Sequence, residues 1–241
     1  MKLRSHLLFL ALLLSVRLFS SCWTGTCVTG KGAVIKRDLV VASFHGIVVQ
    51  GSMDVRVSPA PSQAVEVEGQ ENLVGLVESE VRDGIWTIRT SECYRTDKPF
   101  IVYIKVQTLD KVIIQGSGDV LGTGTLETGS MDLTVQGSGD VDLTVKASKV
   151  EAFVQGSGTI KLGGTCDDLN AEVQGSGDVK AGNMSTANAT ANVNGSGDIT
   201  VKVAGTLDAV ISGSGDVRYK GTPAEIKKQV SGSGDIGPAK E

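Results

Sequence analysis

The sequence predicts an all-β fold: a right-handed parallel β-helix, or β-solenoid, with about 19–20 residues per repeat, preceded by a less regular β region. Three observations predict it. The tetrapeptide Gly-Ser-Gly-Asp begins at Gly116, Gly137, Gly175, Gly195, Gly213 and Gly232, with Gly-Ser-Gly-Thr at Gly156, and successive first glycines lie 21, 19, 19, 20, 18 and 19 residues apart. A period of this size marks one supersecondary unit copied and stacked. On both sides of each motif Val, Ile, Leu and Ala alternate with polar residues, the two-residue period of a strand with one buried face. Finally, the 241 residues include 31 Gly but only 4% aromatics, a composition that suits a thin core of branched aliphatics.

Taken in order, residues 1–21 have the pattern of an export signal. Lys2 and Arg4 precede the apolar run Leu7 to Leu14, and Leu18-Phe19-Ser20-Ser21 leads into Cys22. The run is too short to span a membrane comfortably. A cysteine after small residues is placed as in a bacterial lipobox, so Cys22 is the expected lipidation site. The alternative is ordinary cleavage nearby, leaving a free or disulfide-forming thiol. The expected location is therefore exported: an outer-membrane lipoprotein, facing the periplasm or the outside, that meets the membrane only through its lipid.

Charge narrows the partners. The signal holds three basic side chains (Lys2, Arg4, Arg17) and no acidic ones, so the remainder has 20 basic against 27 acidic residues, a net charge of −7. That argues against nucleic acid and against electrostatic adsorption to anionic lipid. With Cys22 lipidated, Cys27, Cys93 and Cys166 remain; one bridge is possible and the sequence does not choose the pair. No CxxC pair is present, so a structural zinc site is not expected, and no cofactor is implied.

Residues 22–37 have the composition of a polar tether. A first folded region, 38–110, continuous with the solenoid, contains Gly51-Ser52-Met53-Asp54, a degraded copy of the motif with Met53 in place of the second glycine. Ala64 to Glu68 and Phe100 to Val106 alternate as strands. Leu73 to Val81 has apolar residues near helical spacing, and Asp83-Gly84 marks a tight turn into a strand beginning at Ile85. Over 111–237 the repeats take over. Leu133 and Val135, then Val141, Leu143 and Val145 share one parity around Gly137; Leu169, Ala171 and Val173, then Val179 and Ala181 do so around Gly175. Each unit thus holds two short strands around a Gly-Ser-Gly corner, with a variable corner between units. Coils stacked at about 4.8 Å would make a rod on the order of 30 Å long, and parallel coils are expected to be right-handed.

The chain resembles the head GIN domain family of putative auto-transporter adhesins of Bacteroidetes-type bacteria. The resemblance rests on Phe44-His45-Gly46-Ile47 with Gly51-Ser52, on Glu78-Ser79-Glu80-Val81-Arg82-Asp83-Gly84, on the serial Gly-Ser-Gly-Asp motifs, and on Asp216-Val217-Arg218-Tyr219-Lys220-Gly221-Thr222-Pro223 followed by Val230-Ser231-Gly232-Ser233-Gly234. It covers roughly residues 38 to 237. It implies a β-solenoid and an exported, often lipid-anchored protein, and carries no catalytic residues over. Departures fall at Met53, at Thr159 and in the cysteine-bearing loop around Cys93.

The Asp ladder is the sharpest candidate site. Asp119, Asp140, Asp178, Asp198, Asp216 and Asp235 should stack; each carboxylate is expected to bond backbone N–H groups of its own corner, with recruitment of a hard cation such as calcium as the alternative. A phosphate-binding role for Gly-Ser-Gly is not expected, because a strand rather than a helix follows each copy. Beyond the signal, His45 is the single histidine, too little for a Ser-His-Asp site. Glu78 with Glu80, or Asp167 with Asp168, could serve a glycosidase, with Tyr94 as the best exposed aromatic platform. The expected function is a non-enzymatic adhesion or interaction module of the cell envelope, binding a surface protein or polysaccharide and open to homo-oligomerisation. The alternatives are a carbohydrate-binding or carbohydrate-active β-helix protein, and a calcium-stabilised structural solenoid.

Overall fold

The computed structural model describes residues 27–240. The expected signal over 1–21 and Cys22 lie outside the described residues. The chain forms a nearly all-β solenoid of about 7 turns, 67% strand and 2% helix, with the strands of successive coils stacked in parallel. Parity decides which side chains enter the core: Val112 and Ile114, Leu133 and Val135, Val154, Val173 and Val193 are buried on one wall, and Val120, Leu143, Leu162, Val179 and Val201 on the facing one.

Only the Gly-Ser-Gly corner interrupts the chain in the middle coils. Val141–Gly156, Thr159–Gly175 and Asp178–Gly195 each run as one strand from one glycine corner, around the opposite bend, to the next glycine corner. Val141–Gly156 pairs with Thr159–Gly175 in a constant register from Val141↔Ile160 to Gly156↔Gly175. The bend between units is therefore part of the ladder, where sequence alone suggested an irregular corner.

The N-terminal end departs from simple stacking. Gly46–Gly51 pairs with Ile85–Ile88 on one side and with Lys111–Gly116 on the other. Asp54–Pro59 likewise lies between Ile101–Val106 and Val120–Glu127. The coil formed by 46–59 is thus the second layer, and the chain doubles back to lay 85–106 beneath it before resuming at Lys111. Antiparallel strands Ala64–Gln70 and Val34–Asp38 complete this end. Bulk collects there: Phe44 lies 5.4 Å from Trp86, and both are buried with Leu73 and Leu109. Trp86 Nε1 donates to Glu78 O at 3.0 Å, satisfying its one polar atom. Closing a solenoid end needs large side chains, whereas the middle coils manage with Ala152, Ala171 and Ala191.

Two expectations are corrected. The proposed tether is ordered from residue 27 onward: Val28–Thr29 pairs in parallel with Tyr94–Arg95, and Val34–Asp38 joins the antiparallel end sheet. The segment is polar because it covers the outside of this end, and Cys27 is bonded to Cys93. The helical spacing over Leu73 to Val81 yields only the short helix Glu71–Val74. Val77 instead bridges to Thr90, and Val81–Arg82 pairs with Ile85–Ile88, because strand pairing at the closed end outweighs a weak local helix preference.

Candidate functional site

The repeated corner is built from backbone geometry. In each copy the Ser and second Gly N–H groups converge on the first Gly carbonyl of the preceding coil; Ser138 and Gly139 donate to Gly116 O at 3.0 and 3.3 Å. Gly137 sits at φ 144°, where a side chain is strained, and a Cβ there would overlap Gly116 O. A Cβ on Gly139 would overlap Gly118 O. The second glycine is therefore required by the coil beneath it. That also explains Met53: its coil has no glycine corner beneath, so a side chain fits, and Met53 is buried as filling for the end. The serines Ser117, Ser138, Ser157, Ser176, Ser196, Ser214 and Ser233 are all exposed, a row of hydroxyls along one edge of the rod.

The aspartates stack as the sequence suggests but bond differently. Asp119 N–H donates to Asp54 Oδ1 at 3.2 Å, Asp140 N–H to Asp119 Oδ1 at 2.9 Å, and Thr159 N–H to Asp140 Oδ1 at 2.8 Å. The same link joins Asp178 to Asp198, Asp198 to Asp216 and Asp216 to Asp235, at 3.1, 2.8 and 2.9 Å. Each carboxylate thus bonds the next coil, not its own corner. Thr159 breaks the series, and there Asp178 N–H donates to Gly158 O at 3.1 Å instead. The carboxylate stands in for a strand carbonyl at the one corner position between the Gly-Gly pair and the next ladder pair, where register is kept on both sides.

These bonds also bear on the cation alternative. One oxygen of each linking carboxylate is already committed, and Arg218 holds both Asp216 (2.8 Å) and Asp235 (2.5 Å). The Asp235 N–H and then the Arg218 guanidinium keep the Asp216 carboxyl below the usual carboxylate range. Among the described residues no group of three or more His, Cys, Asp or Glu could hold a metal ion.

The other candidates are separated by the fold. Glu78 pairs with Arg89 at 2.6 Å and Glu80 with Arg82 at 2.7 Å, beside a small depression of about 100 Å³. Asp168 accepts from Asn188 Nδ2 at 3.0 Å, while Asp167 lies along a shallow groove of about 470 Å³ at the bend opposite the glycine corner. His45 Nδ1 meets Asp110 Oδ1 at 2.8 Å. Cys166 is buried, and desolvation pushes its thiol up to about 11.

A pocket of about 410 Å³ opens at the degraded corner, where Ser52 and Asp54 face Tyr94, Arg95, Lys98 and Phe100. Tyr94 OH and Ser52 Oγ are hydrogen-bonded at 2.9 Å, and Phe100 meets the Tyr94 ring edge-on at 4.9 Å. Sequence reading singled out Tyr94 alone. Nothing in the spacing links residue 52 to residue 94; in the fold the Ser52–Tyr94 hydrogen bond joins them, beside the Cys27–Cys93 bridge.

The fold and its corner define a stacked parallel β-solenoid. The chain belongs to the family described as "Putative auto-transporter adhesin, head GIN domain", which matches residues 43–223. A crystal structure of a putative adhesin from Bacteroides fragilis is 26% identical with a TM-score of 0.83, covering 88% of this chain and 100% of that one. A putative lipid binding protein from Parabacteroides distasonis is 28% identical with a TM-score of 0.74, covering 89% of this chain and all of that one. A putative adhesin from the same species is 25% identical with a TM-score of 0.73, covering 89% and 100%. Among curated proteins no match is found.

Proposed function

We propose that this chain is an exported, non-enzymatic interaction module of the cell envelope, anchored by lipid on Cys22, that presents a flat face of its solenoid to a surface protein or polysaccharide. The observation that carries this reading is the register of the outward rows ahead of the glycine corner. Gln50, Gln115, Gln136, Gln155 and Gln174 stand one above another, with Gln50 Nε2 donating to Gln115 Oε1 at 2.9 Å and Gln115 Nε2 to Gln136 Oε1 at 3.1 Å. Beside them Val48, Ile113, Thr134 and Phe153 form a half-buried, largely apolar row. A broad face with apolar and amide stripes, fixed by the coils behind it, loses little conformational freedom on binding. The adhesin names of the family and of its structural neighbours support the same reading. Association of two copies would use the last coil, where strand Glu225–Gly232 pairs on one side only among the described residues and Val230 is 45% exposed.

The test is an array of glycans and extracellular-matrix proteins probed with the purified protein and with Phe153→Asp. Binding to an arrayed component that the variant loses is the expected result; binding to none of them overturns the proposal. For the anchor, Cys22→Ala should move the protein from the membrane fraction to the soluble one.

A further inference from the structure

We infer that the pocket at the degraded first corner binds a carboxylate-bearing sugar residue of the uronic acid kind, at a site separate from the flat face. The pocket has the parts that saccharide recognition uses: an aromatic wall in Tyr94 next to the paired hydroxyls of Ser52 and Tyr94 itself. A sugar ring lays its C–H face on an aromatic ring and gives its hydroxyls to such donors and acceptors. The volume of about 410 Å³ suits one or two sugar units.

The wall is also fixed in advance. Tyr94 and Arg95 are paired with Val28 and Thr29, the disulfide Cys27–Cys93 lies directly before Tyr94, and Phe100 backs the ring at 4.9 Å. Burial pushes the Tyr94 phenol up, so its hydroxyl keeps its proton at neutral pH.

Charge selects an acidic sugar. Arg95 has no carboxylate within ion-pair distance among the described residues, and Lys98 meets only its neighbour Asp97 at 3.6 Å, a side chain that is 83% exposed. The one acid in the lining, Asp54, is engaged elsewhere: Oδ1 accepts the Asp119 N–H and Oδ2 lies 4.0 Å from Arg56 Nη2. Two cations therefore face a small polar pocket on a chain whose net charge is −4. A guanidinium offers paired N–H donors that match a carboxylate, which a neutral sugar does not exploit.

The experiment titrates the purified protein with digalacturonate, with its neutral methyl ester and with inorganic phosphate, followed by calorimetry and saturation-transfer NMR. Digalacturonate should bind and the other two should bind at least tenfold more weakly, the loss of one charge-assisted hydrogen bond being worth about that factor. Arg95→Gln with Lys98→Gln should weaken binding by about tenfold or more with the melting temperature unchanged, and Tyr94→Phe should weaken it by about threefold to tenfold. Phe153→Asp should leave digalacturonate binding as it is, which separates this pocket from the flat face. Digalacturonate that fails to bind at millimolar concentration, or an ester or phosphate that binds equally well, overturns the inference.

Discussion

The backbone N–H of Asp140 donates to the carboxylate of Asp119 at 2.9 Å, one full coil away in the stack. The aspartate of each Gly-Ser-Gly-Asp motif except the last is therefore a splice between coils, accepting the one N–H that the corner carries out of reach of a strand carbonyl.

Removing the acceptor should cost about 1 kcal/mol, the net worth of a hydrogen bond on a partly solvated group. Asp119→Ala is expected to lower stability by that amount in urea denaturation. Asp119→Asn keeps a carbonyl oxygen and should fall within about 0.5 kcal/mol of the parent. Equal losses in the two variants would mean that charge, not the acceptor, holds the splice.

A motif glycine packed against the coil beneath it should respond differently from Gly51, the one glycine of the degraded first copy. Gly177→Ala places a Cβ against Gly158 O and the Val154 side chain, and should cost about 3 kcal/mol or more or prevent soluble expression. Gly51 has φ 102° but open space around a would-be Cβ, so Gly51→Ala should cost only about 1–2 kcal/mol of backbone strain. Thermal melts of the pair would check the order.

Reduction of Cys27–Cys93 should release the end of the rod first. The bridge closes a separation of 66 residues, for which the chain-entropy account gives about 4 kcal/mol. Native hydrogen exchange should speed up around residues 28–29 and 94–95 before the coils beyond Lys111. Cys166, buried and with its thiol pushed up to about 11, should resist alkylation until the solenoid itself opens.

Acid should weaken the C-terminal coils through Asp216. Its carboxyl is held below the usual carboxylate range by the Asp235 N–H and then by Arg218. A group depressed in the folded state contributes stability that is full above its unfolded value and is lost as pH falls through the folded one. Stability measured from pH 6 downward should decline through the carboxylate range and below it, and Asp216→Asn should flatten part of that decline. An unchanged slope in the variant would count against the link.

Much of this was legible in the chain. The spacing from Gly116 to Gly232 gave the period, and the parity of Leu133, Val135, Leu143 and Val145 gave the inward face, because a strand alternates sides between its bends. The role of Asp119 was half legible: its stacking follows from the repeat, but its partner does not. An aspartate in a turn most often bonds its own corner, and only the stacking of one corner directly on the next brings the Asp119 carboxylate to the Asp140 N–H. The site around Tyr94 was barely legible, since its members lie at residues 52, 54 and 94–100.

By itself, then, the sequence determined the repeating unit, its buried face and the glycines that turn it, since these depend on local backbone geometry and a two-residue period. The tertiary structure alone decided the order of the first three coils, the pairing of Cys27 with Cys93 rather than Cys166, and the pocket between Ser52 and the segment that follows Cys93. Those depend on which distant segments meet when a solenoid end must be closed, and the strand period carries no information about sequence-remote contacts of that kind.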